Sequence, residues 1–288
     1  MTGAAGFTGH HLLPMLREAG HHAIGTQAPG DTVEGLSVVD LLDMPAIRAL
    51  LETARPDVIV HLAARSFVAD ADVAGLYAAN IVGTRNLLDA AAGQRSVRRL
   101  ILASTGNICA ADPDGMINEE ARPRPANDYG VSKFAMEQLP GLWPDRFETL
   151  ITRPFNYTGV GQSERFLVPK IVAGFRNRQP VLELGNLDIS RDFSDVRDIA
   201  AAYCGLVGSS ATGIVNLCSG TAISLRHIVE SCAAISRHQL EIRSNPAFIR
   251  GNEIPRLLGS NDLLQSILPS WAPRPFEETL HWMLSTGN

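Results

Sequence analysis

Thr2-Gly3-Ala4-Ala5-Gly6-Phe7-Thr8-Gly9 stands at the head of the chain and runs into His10-His11-Leu12-Leu13-Pro14-Met15-Leu16. Three glycines spaced three apart, followed by leucines at helical spacing, describe a tight turn that opens a helix. Glycine lets backbone approach a phosphate closely, and a helix N-terminus offers unpaired N–H groups to it. The stretch therefore predicts a pyrophosphate cradle at residues 3 to 9. Such a turn is ordinarily fed by a strand. Only Met1 and Thr2 precede Gly3, so that strand is expected to be cut short or missing. Pro14 is read as lying in the opening turns of the helix, where a missing N–H is tolerated.

Outward from the turn, strands and helices alternate. Strands are predicted at 22–26, 57–64, 99–103 and 149–153, with helices near 46–53, 80–92 and from 129 onward. The segment Asp57-Val58-Ile59-Val60-His61-Leu62-Ala63-Ala64 is apolar without alternation, as a strand buried on both faces requires. The pattern argues an α/β fold: a Rossmann-type, doubly wound parallel sheet with helices on both faces. Ligands of such sheets bind at the carboxyl ends of strands, and Gly3, Asp40, Ala63, Thr105 and Arg153 all fall at predicted strand ends. An acid at the end of the second strand would favour NADH and a base NADPH. Gln27 stands there with neither charge, which leaves both open.

Beyond Pro154 the texture changes. A glycine-rich loop at 155–162 precedes a helix at 166–176, and further elements follow to a last helix at 276–284. We expect a dinucleotide-binding domain over 1–160 and 188–222. A smaller, discontinuous α/β substrate domain would span 161–187 and 223–288.

Chemistry concentrates between Ser104-Thr105 and Tyr129-Gly130-Val131-Ser132-Lys133. Residues four apart share a helix face, so Tyr129 and Lys133 would point into one site. A phenol titrates near pH 10 and works as an acid or base at neutral pH only if a nearby cation stabilises its phenolate, a role open to Lys133. Ser104 is an alternative to its neighbour Thr105.

Composition excludes several classes. Of 288 residues, 45% are hydrophobic and 19% charged, with a net charge of −5. That balance gives no footprint for nucleic acid, and no apolar run reaches the length of a membrane span. No signal peptide is read, so a cytoplasmic protein with reduced thiols is expected. Cys109, Cys204, Cys218 and Cys232 are scattered and the His residues lack ligand spacing, so no metal site is expected.

The motifs Thr2-Gly-x-x-Gly-x-x-Gly9, Asp40-Leu41, Leu62-Ala63-Ala64, Asn80-x-x-Gly83-Thr84, Ser104-Thr105, Tyr129-x-x-x-Lys133 and Arg153-Pro154-x-Asn156 occur in this order along nearly the whole chain. Together they resemble the extended short-chain dehydrogenase/reductases, the NAD-dependent epimerase/dehydratase family. The resemblance implies NADH or NADPH over Gly3, Gly6, Phe7, Thr8 and Gly9, with Asp40 and Leu41 near the adenine. Leu62, Ala63, Ala64, Asn80 and Pro154 would also line the cofactor. It implies Tyr129 as the catalytic acid/base, Lys133 lowering its pKa and holding the nicotinamide ribose, and Thr105 bonding the substrate oxygen. A homodimer through a four-helix bundle, using helices near 80–92 and 127–139, is implied as well.

Within that family the second half is similar to enzymes of GDP-linked 6-deoxyhexoses, on Asn156 through Lys170, Arg191-Asp192-Phe193-x-Asp195 and Arg250-x-x-Glu253. Asn107, Asn156, Lys170, Arg191, Arg250 and Glu253 are the implied substrate contacts. Arg191 could equally pair with Asp192 or Asp195, and Arg250 with Glu253. Dehydratases of this group carry a Glu two residues after the catalytic Thr. Here that position is Asn107, and an amide cannot take a proton beside a ketone. The expectation is therefore reduction of a 4-keto sugar nucleotide. The alternatives are an NAD-retaining 4-epimerase and a non-catalytic dinucleotide-binding regulator.

Overall fold

The computed structural model describes residues 1–66, 72–109, 116–248 and 255–286; Arg250 and Glu253 lie outside them. The first strand is present as a stub held from both sides. The Thr2 N–H donates to the Val60 carbonyl at 3.0 Å, and the Thr2 carbonyl accepts from Leu62 at 3.3 Å. On the other flank the Met1 carbonyl accepts from Thr26 at 2.9 Å, and the Ala4 N–H donates to the Thr26 carbonyl at 2.8 Å. Four residues thus do the pairing that a longer central strand would do: of the two expectations, the strand is cut short and not missing.

The glycine turn leads into α1 (Phe7–Glu18). Pro14 is the eighth residue of this helix and lies in its interior, not its opening turns. It sits on the exposed face. Then come β1 (Thr26–Gln27), β2 (Ser37–Val38), α2 (Met44–Ala54) and β3 (Val58–His61). The Asp43 carboxylate caps α2 by accepting from Ala46 at 3.1 Å, with Pro45 in the first turn. α3 (Val73–Tyr77), a π-helical turn over Ala78–Gly83 and α4 (Thr84–Ala92) follow one another without a break. β4 (Arg99–Ala103), α5 (Asp128–Gln138) and β5 (Glu148–Pro154) complete the first run.

The second run is β6 (Asn156–Thr158), α6 (Leu167–Arg176), β7 (Val181–Leu184), β8 (Ser190–Asp195), α7 (Val196–Gly208) and β9 (Gly213–Leu217). β10 (Ala222–Ser224), α8 (Leu225–Ser236), β11 (Glu241–Ser244), β12 (Arg256–Leu257), α9 (Asp262–Ile267) and α10 (Phe276–Ser285) end it.

β3, β4, β5 and β9 form one parallel sheet in that order. The stub joins it to the parallel pair β1–β2, giving the spatial order β2, β1, stub, β3, β4, β5, β9. Chain direction across the sheet reverses between the stub and β3, and the glycine turn sits there, where such sheets hold ligands. β4 shows why both faces are covered. Leu100 and Leu102 pack with α2 and α4, while Ile101 and Ala103 pack with α1 and α7. Successive strand residues point to opposite faces, so an uninterrupted apolar run serves two helix layers.

A separate core gathers Ile171 and Phe175 of α6, Leu184 of β7, Ile228 of α8 and Leu280 of α10. β8 pairs with β6 along one half and with β10 and β12 along the other. Its Asp192 is fully buried, and burial pushes that carboxyl up to about 6. The carboxylate accepts from the Ser219 N–H and hydroxyl, both at 2.8 Å, and from Gly220 at 2.9 Å. These bonds tie β8 to the loop that leaves β9.

Gly3 has φ +69°, and a Cβ there would lie 2.7 Å from the Ala63 nitrogen. Gly3→Ala should therefore cost about 3 kcal/mol, from left-handed strain plus a backbone clash. Gly20→Ala, at φ +87° with open space around it, should cost only about 1 kcal/mol. Urea titration of the two variants checks the difference.

Candidate active site

α5 begins where the Asn127 side chain accepts from the Gly130 N–H at 2.8 Å. That cap sets the phase of the helix, and Tyr129 and Lys133, one turn apart, both turn inward with 9% and 2% exposure. β4 delivers Ser104 and Thr105 to the same place, 3% and 4% exposed. The Thr105 hydroxyl accepts from the Asn107 N–H at 3.2 Å and lies close enough to the Tyr129 phenol to favour its ionised form. The Ser104 hydroxyl is buried without a protein partner.

Burial dominates the electrostatics. It pushes the Tyr129 phenol well above its ordinary value, the nearby Tyr157 phenol adds to this, and the Thr105 hydroxyl opposes it. Burial lowers Lys133 to about 8, with Glu137 acting against it. The Lys133 ammonium donates to the Ala103 carbonyl at 2.7 Å. The short contact of Lys133 is thus to the end of β4, and Thr105 is the neighbour that favours the phenolate. One turn further along α5, Glu137 meets Arg153 of β5 in a buried bidentate pair at 3.0 and 2.9 Å. A two-point carboxylate–guanidinium bond in so dry a place fixes the helix against the sheet.

The glycine turn fits a pyrophosphate. Gly6 caps α1 with no side-chain hydrogen bond, so the first N–H groups of the helix are not taken by a cap. A Cβ on Gly9 would overlap the Gly3 carbonyl and Ala4, which explains the third glycine as a packing requirement. Phe7 stacks on Tyr157 with centroids 6.0 Å apart, and the Thr8 and Tyr157 hydroxyls are 2.8 Å apart. Tyr157 thereby closes the floor between the turn and Tyr129, a part the sequence reading missed. Its place beside Asn156 in an alternating strand was the available signal. The unpartnered Ser104 hydroxyl and the uncapped helix are what a bound dinucleotide would engage.

The other candidates divide. Ala63 packs against Gly3. Leu41 packs against Gly83, and its carbonyl accepts from Asn86 at 3.0 Å. The Asp40 carboxylate accepts from Leu42 at 2.8 Å on the surface. Pro154 ends β5 in register with Leu217, and Leu62 and Ala64 are half-buried beside Ala63. Asn80 is 1% exposed, with both amide hydrogens donated, to the Arg65 carbonyl and the Ser132 hydroxyl, at 3.0 Å each. These bonds fix it in the wall of the site. The Gln27 amide is turned inward onto Val33, donating to its carbonyl at 3.0 Å and accepting from its N–H at 2.8 Å.

On the substrate side, the Asn156 amide donates to the Asp192 carbonyl at 3.3 Å. Lys170 donates to the Glu183 carbonyl at 2.8 Å, its ammonium 4.2 Å from the centre of the Phe248 ring. One Arg191 nitrogen donates to the Ser190 carbonyl at 2.9 Å. Asp192 is held by the loop after β9 and Asp195 by Arg197, so neither acid serves as the ion-pair partner considered for Arg191.

A glycine turn at the switch point, close to a buried tyrosine and lysine, is the arrangement of a nicotinamide-dinucleotide enzyme. The comparisons make the class specific. Residues 1–218 match the NAD dependent epimerase/dehydratase family, and the chain belongs to that family. It is 34% identical to a GDP-6-deoxy-D-talose 4-dehydrogenase of Aggregatibacter actinomycetemcomitans, over 93% of this chain and 90% of the relative. It is 33% identical to a GDP-6-deoxy-D-mannose reductase of Pseudomonas aeruginosa, over 99% and 95%. The solved structure of RMD from Pseudomonas aeruginosa complexed with NADPH superposes with a TM-score of 0.85 at 32% identity, over 98% and 96% of the two chains.

Two outcomes follow from the charges. Glu137→Gln leaves the Arg153 guanidinium buried and half-paired, and should lower stability by about 3–5 kcal/mol in a urea titration. Lys133 carries its charge only below about pH 8. The pH profile of kcat/KM, which reports the free enzyme, should therefore fall as pH rises through about 8.

Proposed function

We propose that the chain reduces the 4-keto group of a nucleotide-linked 6-deoxyhexose, with GDP-4-keto-6-deoxy-D-mannose as substrate and a GDP-6-deoxyhexose as product. The observation that carries the reading is the convergence of buried Thr105, Tyr129 and Lys133, with Asn107, and no acid, two residues after Thr105. The reduced nicotinamide of NADH or NADPH supplies the hydride. Tyr129, uncharged because burial disfavours the phenolate, holds a proton for the oxygen at C4. Thr105 hydrogen-bonds that oxygen as charge develops on it. Lys133 offers a cation at the floor of the site, and without a carboxylate at position 107 nothing there takes the proton next to the ketone.

The names of the two curated relatives both describe redox chemistry on GDP-6-deoxyhexoses, and one of them names position 4, which supports the substrate class and the position. In this reading Asn156, Arg191 and Lys170 border the nucleotide sugar, with Arg250 and Glu253 on the segment between Phe248 and Pro255. The planar Arg191 suits the diphosphate. Residues 161–187 and 223–288 form the sugar-nucleotide domain and the remainder the dinucleotide domain. The enzyme acts in the cytoplasm as a homodimer. The exposed Val82 on the π turn and Val131 on α5 support a bundle of these helices with a second copy. No helix among the described residues is long and apolar enough to cross a membrane.

Incubation with GDP-4-keto-6-deoxy-D-mannose should consume NADH or NADPH in step with product, with a new C4 carbinol proton in its NMR spectrum. Tyr129→Phe should cut kcat by about 10²–10⁴-fold and leave cofactor affinity in place. Conversion of a GDP-6-deoxyhexose into its C4 epimer without net change in the cofactor, with the 4-keto sugar left unreduced, would identify a 4-epimerase instead. Undiminished turnover by the Phe variant would remove Tyr129 from the mechanism.

A further inference from the structure

His61 is a buried titratable group beside the site that the proposed chemistry does not use. It ends β3, is 1% exposed, and burial together with the Lys133 charge lowers it to about 3. Its Nδ1 lies 2.7 Å from the Thr2 hydroxyl and its Nε2 2.9 Å from the Thr84 hydroxyl. The neighbours fix the direction of both bonds. The Thr84 hydroxyl donates to the Asn80 carbonyl at 2.7 Å, so it accepts from His61, and Nε2 carries the hydrogen. Nδ1 is then an acceptor, filled by Thr2, whose oxygen in turn accepts from the Ala63 N–H at 3.3 Å.

The line continues past Asn80. The Asn80 amide donates to the Ser132 hydroxyl at 3.0 Å, and Ser132 donates to the Tyr129 carbonyl at 2.8 Å. Every hydroxyl in it donates once and accepts once. The side chains of Thr2, His61, Thr84, Asn80 and Ser132 are each at most 6% exposed. One end is the residue before Gly3, the other the backbone of Tyr129. In the middle, the Thr84 hydroxyl reaches back one turn to the Asn80 carbonyl, the bond to the residue four back that helical threonines commonly make.

We infer that His61, fixed as the neutral Nε2–H tautomer between Thr2 and Thr84, is a positioning residue that holds the phosphate turn and the Tyr129 turn of α5 in one register. It touches neither substrate nor cofactor and acts through Thr84, Asn80 and Ser132. The inference rests on the catalytic reading of Tyr129. Two dry, fully satisfied hydrogen-bond ends separated by a rigid ring transmit position well, because any shift at one end leaves a buried polar atom unpaired.

Ser132→Ala and His61→Phe test it. Each should lower kcat by about 10- to 100-fold with KM for both ligands within about threefold, since a displaced proton donor is felt in the transition state. The double variant should be no worse than the more damaging single one, because both cut the same line. Gly20→Ala is the control, lowering the melting temperature without changing kcat. Amide exchange in residues 128–133 should quicken by about tenfold in both variants, with α8 unaffected. Wild-type kcat in Ser132→Ala, additive effects in the double variant, or unchanged exchange at 128–133 would each overturn the inference. If His61→Phe does not fold, Ser132→Ala decides alone. If the wild-type enzyme does not turn over the 4-keto sugar nucleotide, the reduction reading fails, and the exchange measurement still decides whether the line holds α5.

Discussion

Four residues, Met1 to Ala4, are pinned on both flanks, and the site takes its position from them. Hydrogen bonds from Val60 and Leu62 on one side and Thr26 on the other set the height at which the chain turns through Gly3. Gly3 then lies against the backbone of Ala63, with no room for a Cβ. Because the turn and the β3 end are in contact, the phosphate cradle cannot move without moving β3. β4 and β5 follow through the sheet, and with them Thr105 and Arg153. A closely packed interior transmits such a constraint because it has no slack in which to lose it.

The site is dry, and dryness decides its charges. Burial keeps a proton on Tyr129 and weakens the hold of Lys133 on its own. The same burial would make the Arg153 guanidinium intolerable but for Glu137, which meets it with two hydrogen bonds and partly restores the Lys133 charge. One carboxylate thus serves anchoring and electrostatics together. Asp192 meets the same problem in the second core, taking backbone and hydroxyl donors from the loop after β9 in place of a cation. A buried charge is tolerated when its partners are fixed before it arrives.

Local pattern reaches a definite depth into this protein. The apolar run at 99–103 was legible because a strand buried on both faces needs no alternation, and β4 has those bounds. The helix over Tyr129 and Lys133 was legible from spacing, and α5 turns both inward. Pro14 was misplaced because the helix begins at Phe7, directly after the turn. The first strand was left as cut short or missing because a strand was counted by its own residues, while the sheet counts hydrogen bonds made to neighbours, and these show a short strand. Asn80 was read as a cofactor contact from its motif, and its partners are Arg65 and Ser132. No local signal announces a π turn, since it differs from an α turn by one residue of ladder and only packing selects it.

The sequence by itself determined the alternation of the elements, the glycine turn, and the identities that limit the chemistry: a tyrosine and a lysine one turn apart, a threonine at a strand end, an asparagine where an acid would be needed. Those are properties of spacing and functional group, which a linear chain carries without folding. The tertiary structure decided the rest: that Lys133 meets Ala103, that Tyr157 closes the floor beneath Phe7, that Glu137 finds Arg153, and that His61 is neutral between two hydroxyls. Each depends on residues far apart in the chain becoming neighbours, and on water leaving as they do. The strength of a hydrogen bond and the charge on a side chain are set by that exclusion, and no stretch of sequence excludes water alone.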